Sequence, residues 1–252
     1  MLGLTGVATM GMLTGCEAYN RAAAATVSPQ EEAQLGISAF QTIKSETPPL
    51  KSGTVQERVR DIAARIVPAS GSAIPFSEWE VVVFDSDEIN AFALPGGKIG
   101  VYRGILNVAE NDAQLATVMG HEVGHVNARH SAQRLGTANF SQLGQAALGF
   151  GAQIAGFSPE LAAAASGALI QYGFILPYSR SQELEADSLG LTYMAKARYD
   201  PSESVDFWQN MNRAGGGSAP TFLSTHPSGE DRIARLQQQL PDAEAIYRQA
   251  AA

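Results

Sequence analysis

The sequence predicts an α+β fold that is mainly helical, with a small antiparallel sheet beside one central helix. Three observations predict it. Capped amphipathic segments at helical spacing occupy both halves of the chain. β-Branched and aromatic runs between Trp79 and Arg103 are joined through Pro95-Gly96-Gly97. The third is His121-Glu122-Val123-Gly124-His125, an H-E-x-x-H set inside a strongly signalled helix. With 252 residues, 45% of them hydrophobic, the chain has ample core for one large domain, with or without an extension.

The N-terminus reads as a targeting segment. Residues 1–15 are apolar and uncharged, and Leu13-Thr14-Gly15-Cys16 resembles the lipobox of bacterial lipoproteins, where the chain is cut before a cysteine that is then lipidated. No Lys or Arg precedes Cys16, a departure from the usual positive start of an export signal, and a frayed helix with an incidental cysteine is the alternative. The lipobox reading makes 1–15 a signal segment and the Ala-rich 16–27 a tether. It places the mature chain on the periplasmic side of a bacterial envelope, held at the outer membrane only by an acyl anchor at Cys16.

The folded domain is expected over 28–240. Ser28-Pro29-Gln30-Glu31 combines an N-cap, a proline at the first helical position and a glutamate three residues on, so a helix runs to about Lys44, where Thr47-Pro48-Pro49 breaks it. Val55, Val59, Ile62 and Ile66 mark a second helix, ended by Pro68. Trp79 to Phe84 reads as a buried strand, and Asn90 to Leu94 with Lys98 to Arg103 as a hairpin. Asn111-Asp112-Ala113-Gln114 fits a capping box for the helix of the H-E-x-x-H, whose Leu115, Val118, Met119 and Val126 recur on one side. Residues 135–179 carry one charge, Glu160, and are interrupted by glutamines and Pro159, so they read as an Ala/Gly-rich helical lid and not as a membrane span. A further helix follows to about Ala197 with Ser181 as its N-cap, and another starts at Asp200-Pro201, where Trp208 and Met211 are core. Ala214 to Ala219 is a Gly-rich loop, Asp231 to Leu240 a closing helix, and 241–252 a loosely ordered tail.

Composition excludes some chemistries. A net charge of −8 without a dense basic run argues against a nucleic-acid partner. The single cysteine rules out an intrachain disulfide and a cysteine-based zinc site. Metal ligation must draw on four histidines, at 121, 125, 130 and 226, and on carboxylates.

On a helix, His121 and His125 lie four apart on one face and can share a metal ion, while Glu122 is placed to take a proton from an attacking water. Zinc accepts neutral nitrogen and carboxylate ligands, and a catalytic site keeps one position for water. A third ligand is needed. His130 stands roughly 140° around a continuous helix from His125, which reads as structural or surface. Glu183 and Asp187, four apart on the next helix, share a face: Glu183 can ligate while Asp187 braces a histidine ligand, and Glu185 points elsewhere. The competing reading is an acidic helix N-terminus. An exposed edge of the sheet can take an extended substrate as an added strand; equally, the hairpin can serve only to roof the core.

The H-E-x-x-H, the S-R-x-x-E-x-E-A-D that follows from Ser179, and Ser224-Thr225-His226-Pro227 together resemble the gluzincins of peptidase family M48, over roughly residues 28 to 240. The resemblance is closest to the single-domain envelope lipoprotein members. It implies a gluzincin-type fold and a zinc endopeptidase acting on polypeptides, misfolded envelope proteins among them, with one zinc per chain held by His121, His125 and Glu183 and with Glu122 as general base. His226 matches a family position that approaches the metal, as a fourth ligand at rest or as an oxyanion donor. Asp187 and, more weakly, Arg232 stand behind the ligands, and Asn90, Ala91, Phe92, Ala93 and Leu94 match the substrate-side strand. A different class of function, an envelope chaperone or assembly factor with a zinc site closed by His226, is the alternative.

Overall fold

The computed structural model describes residues 15–51, 53–137, 177–214, 220–227 and 230–251. The predicted lid falls almost wholly outside the described residues, as do the signal segment and the Gly-rich loop. Among the described residues, the chain is mainly helical around one three-stranded sheet, and no helix is long and apolar enough to cross a membrane.

Helix α1 (Gly15–Ala24) replaces the expected tether: Ala24 and Val27 pack with Ala132 and Leu135, an apolar contact that an Ala-rich run does not announce. Helix α2 (Pro29–Glu46) starts as expected. The Ser28 hydroxyl accepts from the Glu31 N–H, and the Glu31 carboxylate accepts from the Ser28 N–H at 2.9 Å. Helix α3 (Gly53–Ala69) carries Pro68 in its last turn, one residue before the end, where the helix already runs out of amide partners.

Strands β1 (Glu80–Phe84), β2 (Ala91–Leu94) and β3 (Lys98–Tyr102) form a sheet of order β1-β3-β2. The β2–β3 hairpin is antiparallel, but β1 pairs parallel with β3, so the sheet is mixed where a wholly antiparallel one was expected. Segment 85–90 carries the chain past the central position, which β3 then fills. Gly96 and Gly97 turn the hairpin at φ 83° and 72°, where side chains with a Cβ are strained.

Both faces of the sheet are buried. Val81, Val83, Ile99 and Val101 face Ile62, Ile66, Leu115 and Met119, while Val82, Phe84, Leu94 and Tyr102 face Phe40 of α2. The backbone at 48–50 covers the outer edge of β1, with the Leu50 N–H donating to Val83 O at 2.7 Å. The other edge, β2, adjoins the central helix.

That helix, α4 (Asp112–Asn127), is capped by Asn111, whose side chain accepts from the Gln114 N–H. The reciprocal half of the expected box is replaced: Gln114 accepts from the Glu110 N–H instead. From Gln114 to His125 every residue is buried, so α4 is a core helix and not one with a single apolar side. Arg129 then takes a left-handed conformation, φ 54°, and residues 130–137 start helix α5.

Helix α6 (Arg180–Lys196) begins two residues earlier than expected, because Ser179 and Gln182 form its capping box and Ser181 lies inside it. Helix α7 (Glu203–Ala214) buries Trp208 and Met211, and the short α8 (Thr221–Thr225) ends at His226. Helix α9 (Glu230–Ala251) runs through Pro241 and absorbs the expected tail. Ala243 is buried and Ile246 and Tyr247 pack on the core, which offsets the interrupted hydrogen bond at the proline.

Helices α4 and α6 touch backbone to backbone. A Cβ on Gly190 would stand 2.7 Å from the amide nitrogen of His121, and one on Gly120 2.9 Å from Gly190 O. Gly190→Ala is therefore expected to cost about 1–3 kcal/mol through forced separation of the helices. Urea unfolding of the metal-free chain measures this, and an unchanged midpoint would refute the close packing.

Candidate metal centre

The close approach of α4 and α6 brings four side chains to one point. His121, His125, Glu183 and His226 are all buried, and one donor atom from each lies within 4.8 Å of the others. His121 Nε2 and His125 Nε2 are 3.0 Å apart. Glu183 Oε1 lies 3.3 Å from His125 Nε2, and Oε2 3.5 Å from His121 Nε2. His226 turns Nδ1 into the same group, 3.2 Å from His121 Nε2 and 3.1 Å from Glu183 Oε1.

Around them the chain builds a fixed shell. His121 Nδ1 lies 2.9 Å from Asp187 Oδ1, which turns its Nε2 inward. Arg232 grips Asp187 with Nε and Nη2 at 2.7 Å each and reaches Glu183 Oε2 with Nη1 at 2.7 Å. Its guanidinium lies 3.8 Å over the Trp208 ring, which also meets the edge of His121. Glu122 accepts from the Ala93 N–H at 3.2 Å through Oε2. Its other oxygen is buried without a hydrogen bond and sits 3.4 Å from His226 Nε2. Ala93 belongs to β2, so Glu122 lies between the His121/His125 face of α4 and the β2 edge of the sheet.

Asn90 to Leu94 is accordingly beside the site: Ala91, Ala93 and Leu94 are buried, Phe92 is half-buried, and Asn90 accepts from the Ala91 N–H with its own side chain. One feature was not singled out in the sequence. Tyr178, which precedes the α6 cap with no periodicity to mark it, stacks on His125 at 3.8 Å and bonds Thr225 O through its N–H. His130, expected off register from His125, is brought against it by the turn at Arg129 and is fully buried, with Nδ1 2.8 Å from His125 Nδ1 and Nε2 3.1 Å from Glu185 Oε2.

Electrostatically, three buried carboxylates, Glu122, Glu183 and Asp187, face the buried guanidinium of Arg232, with the partly buried Arg134 acting on Glu183 from the Tyr178 side. Burial opposes charge on His121, but Glu183 and Asp187 overcome it and raise the imidazole to about 9. His125 is pushed well below the ordinary histidine range, first by burial, and stays neutral. Burial lifts the Glu122 carboxyl above its usual range against the pull of His226 and His121. It works the same way on Glu183, where the three histidines overrule it and hold the carboxyl far below that range.

A helix carrying H-E-x-x-H, packed on a second helix that returns a glutamate to it, is the arrangement of the gluzincin metallopeptidases, and the fold and site place the chain in that class. The chain belongs to peptidase family M48, whose sequence model matches residues 49–240. It is 37% identical over 188 residues to the mitochondrial metalloendopeptidase OMA1 of Schizosaccharomyces pombe, covering 74% of this chain and 53% of that protein. Against the human OMA1 metalloendopeptidase it is 36% identical over 66% of this chain and 33% of that one. The β-barrel assembly-enhancing protease of Escherichia coli is 28% identical over 84% of this chain and 44% of its own length. The chain thus spans about half, or less, of these relatives.

Arg232→Ala is expected to destabilise the metal-free protein by about 3–5 kcal/mol, because it strands two buried carboxylates and uncovers the Trp208 face. Denaturant unfolding reads this, and a loss under about 1 kcal/mol would contradict the network.

Proposed function

We propose that the chain is a zinc-dependent endopeptidase, with His121, His125 and Glu183 as ligands and Glu122 as general base. The observation that carries it is the convergence of the donor atoms. Ligands about 2.0–2.1 Å from a tetrahedral zinc stand roughly 3.3–3.4 Å from one another. Five of the separations here, taken to whichever Glu183 oxygen is nearer, run from 3.0 to 3.5 Å, and one donor atom from each residue lies within 4.8 Å of the others. The donors are neutral nitrogen and carboxylate oxygen, the set zinc favours when no cysteine is present.

Zinc, when bound, supplies the Lewis acidity that polarises water and the scissile carbonyl. The rest falls to this chain's residues. Glu122 takes a proton from the attacking water and passes it to the leaving amine, and its raised affinity for a proton suits both halves of that exchange. Asp187, with Arg232 behind it, keeps His121 in the tautomer that offers Nε2. A polypeptide laid along β2 as an added strand, at Asn90 to Leu94, brings its backbone beside Glu122, as the Ala93 contact supports.

His226 lies inside the donor group and is buried, which favours a resting state in which it occupies the water's position, with oxyanion stabilisation after it swings clear. The same burial is what a non-hydrolytic assembly factor would show, and cleavage separates the two. The substrate class is polypeptide. Localisation rests on Leu13-Thr14-Gly15-Cys16 alone: we place the chain in a bacterial envelope, anchored through Cys16.

Glu122→Gln is expected to keep one zinc per chain and to lower casein cleavage by about a hundred- to ten-thousand-fold, whereas Glu183→Ala loses both zinc and cleavage. Metal content and proteolysis on the same preparations decide it, and an active Glu122→Gln would sink the assignment. His226→Ala separates its two roles: a rise in cleavage is the sign of a released fourth ligand, and a fall that of a lost oxyanion donor; zinc with no cleavage in any variant would turn the reading to the assembly factor.

A further inference from the structure

The 2.8 Å contact between His125 Nδ1 and His130 Nδ1 requires one ring to donate and the other to accept. The outer partner decides which. His130 Nε2 lies 3.1 Å from Glu185 Oε2, and an ionised carboxylate only accepts, so His130 carries its proton on Nε2. With that proton on Nε2, the nitrogen left to accept is Nδ1. His125 must donate Nδ1–H to it and keep Nε2 bare, facing His121 Nε2 and Glu183. The reverse assignment sets two lone pairs against each other at Glu185 and puts a proton on His125 Nε2, where the metal has to bind.

The backbone is bent to allow this. On a straight helix His130 would stand about 140° away from His125. The left-handed turn at Arg129 brings it back beneath, and that turn is pinned by Glu32, which binds Arg129 Nε at 2.8 Å and accepts from the Ala132 N–H at 3.2 Å. A second clasp joins Arg129 Nη2 to Val27 O at 2.7 Å. His130 is fully buried, and these contacts satisfy both of its nitrogens.

We propose that Glu185 and His130 form a two-link brace that fixes His125 as the Nδ1–H tautomer and so holds its Nε2 open to zinc, as Asp187 does directly for His121. Both are positioning residues, and the inference rests on the zinc assignment above. The inner link is sealed from solvent. The outer one is not: Glu185 is half-exposed and lines a hollow of about 420 Å³ with Arg21, Gln133 and Arg235, so its side chain can be changed without opening a cavity.

The test loads the full chain with zinc and follows metal release into a chromophoric chelator, with visible absorption of the cobalt-substituted protein as a second readout. His130→Leu is expected to release zinc about 10- to 100-fold faster and to alter the cobalt bands at native circular dichroism. His130→Gln, whose amide can accept from His125 and donate to Glu185, restores most of the retention. Glu185→Ala speeds release several-fold, while Glu185→Gln, which still accepts from His130, stays near wild type. If His130→Leu does not fold, the Glu185 pair decides alone. Release from Glu185→Ala within twofold of a zinc-loaded wild type overturns the brace, as does equal release from a folded His130→Leu. A wild type that binds no zinc overturns instead the assignment on which the brace stands.

Discussion

The backbone contact between α4 and α6 is the constraint on which the rest of the site depends. Glycines at 120, 124 and 190 remove the side chains that would hold two helices at their usual separation, and a Cβ at any of the three would meet the other helix's backbone at 3.0 Å or less. Only at that distance do the short side chains of Glu183 and Asp187 reach the imidazoles of His121. The two carboxylates sit one turn apart on α6 and meet opposite nitrogens of the same ring. One turn of each helix therefore carries both the ligand set and its first support.

What surrounds this contact compensates a charge problem. Buried carboxylates outnumber permanent buried cations at the centre, an arrangement that is costly without a further positive charge. Arg232 neutralises part of the surplus and is itself held by stacking on Trp208 and by Pro227 O. In the metal-free chain a proton on His121 supplies more. A divalent cation would meet the remainder with direct bonds, so the burial that makes uncompensated carboxylates costly also favours a positively charged ligand.

Local signals carried most of what the sequence revealed. The H-E-x-x-H and the Glu183/Asp187 pair were legible because each depends only on helical periodicity, and the capping box at Ser28 because it closes within four residues; at α6 two serines compete, and the cap falls on Ser179 and not on Ser181. Features that join distant segments were not. The parallel pairing of β1 with β3 is set by where a loop carries the chain, and strand composition does not encode direction. The extension of α9 past Pro241 and the docking of α1 on α5 rest on small apolar contacts, Ala243 in one case and Ala24 and Val27 in the other. His130 shows the limit most clearly. Its angular position on an ideal helix was computed correctly, but the helix stops at Arg129, whose left-handed conformation is held by Glu32, a residue nearly a hundred positions earlier.

Burial at the centre also bears on how a substrate enters. Tyr178 covers His125, Phe222 stacks on His226 at 4.5 Å, and the Tyr178 N–H bonds Thr225 O next to His226. The two covering segments are thus joined at one hydrogen bond and share the same ring surfaces. On the proposed reading, a peptide added to β2 would meet Glu122 first, since the Ala93 N–H that would serve an added strand is held by the Glu122 carboxylate. Freeing that amide and turning Glu122 toward water are one movement, which couples strand docking to the readiness of the base. The apolar contacts of Tyr178 and Phe222 set the cost of the other movement, the withdrawal of His226. On that reading only the first movement would be offset by the substrate's own backbone hydrogen bonds, which would leave withdrawal of the cover to side chains of the substrate or to a partner.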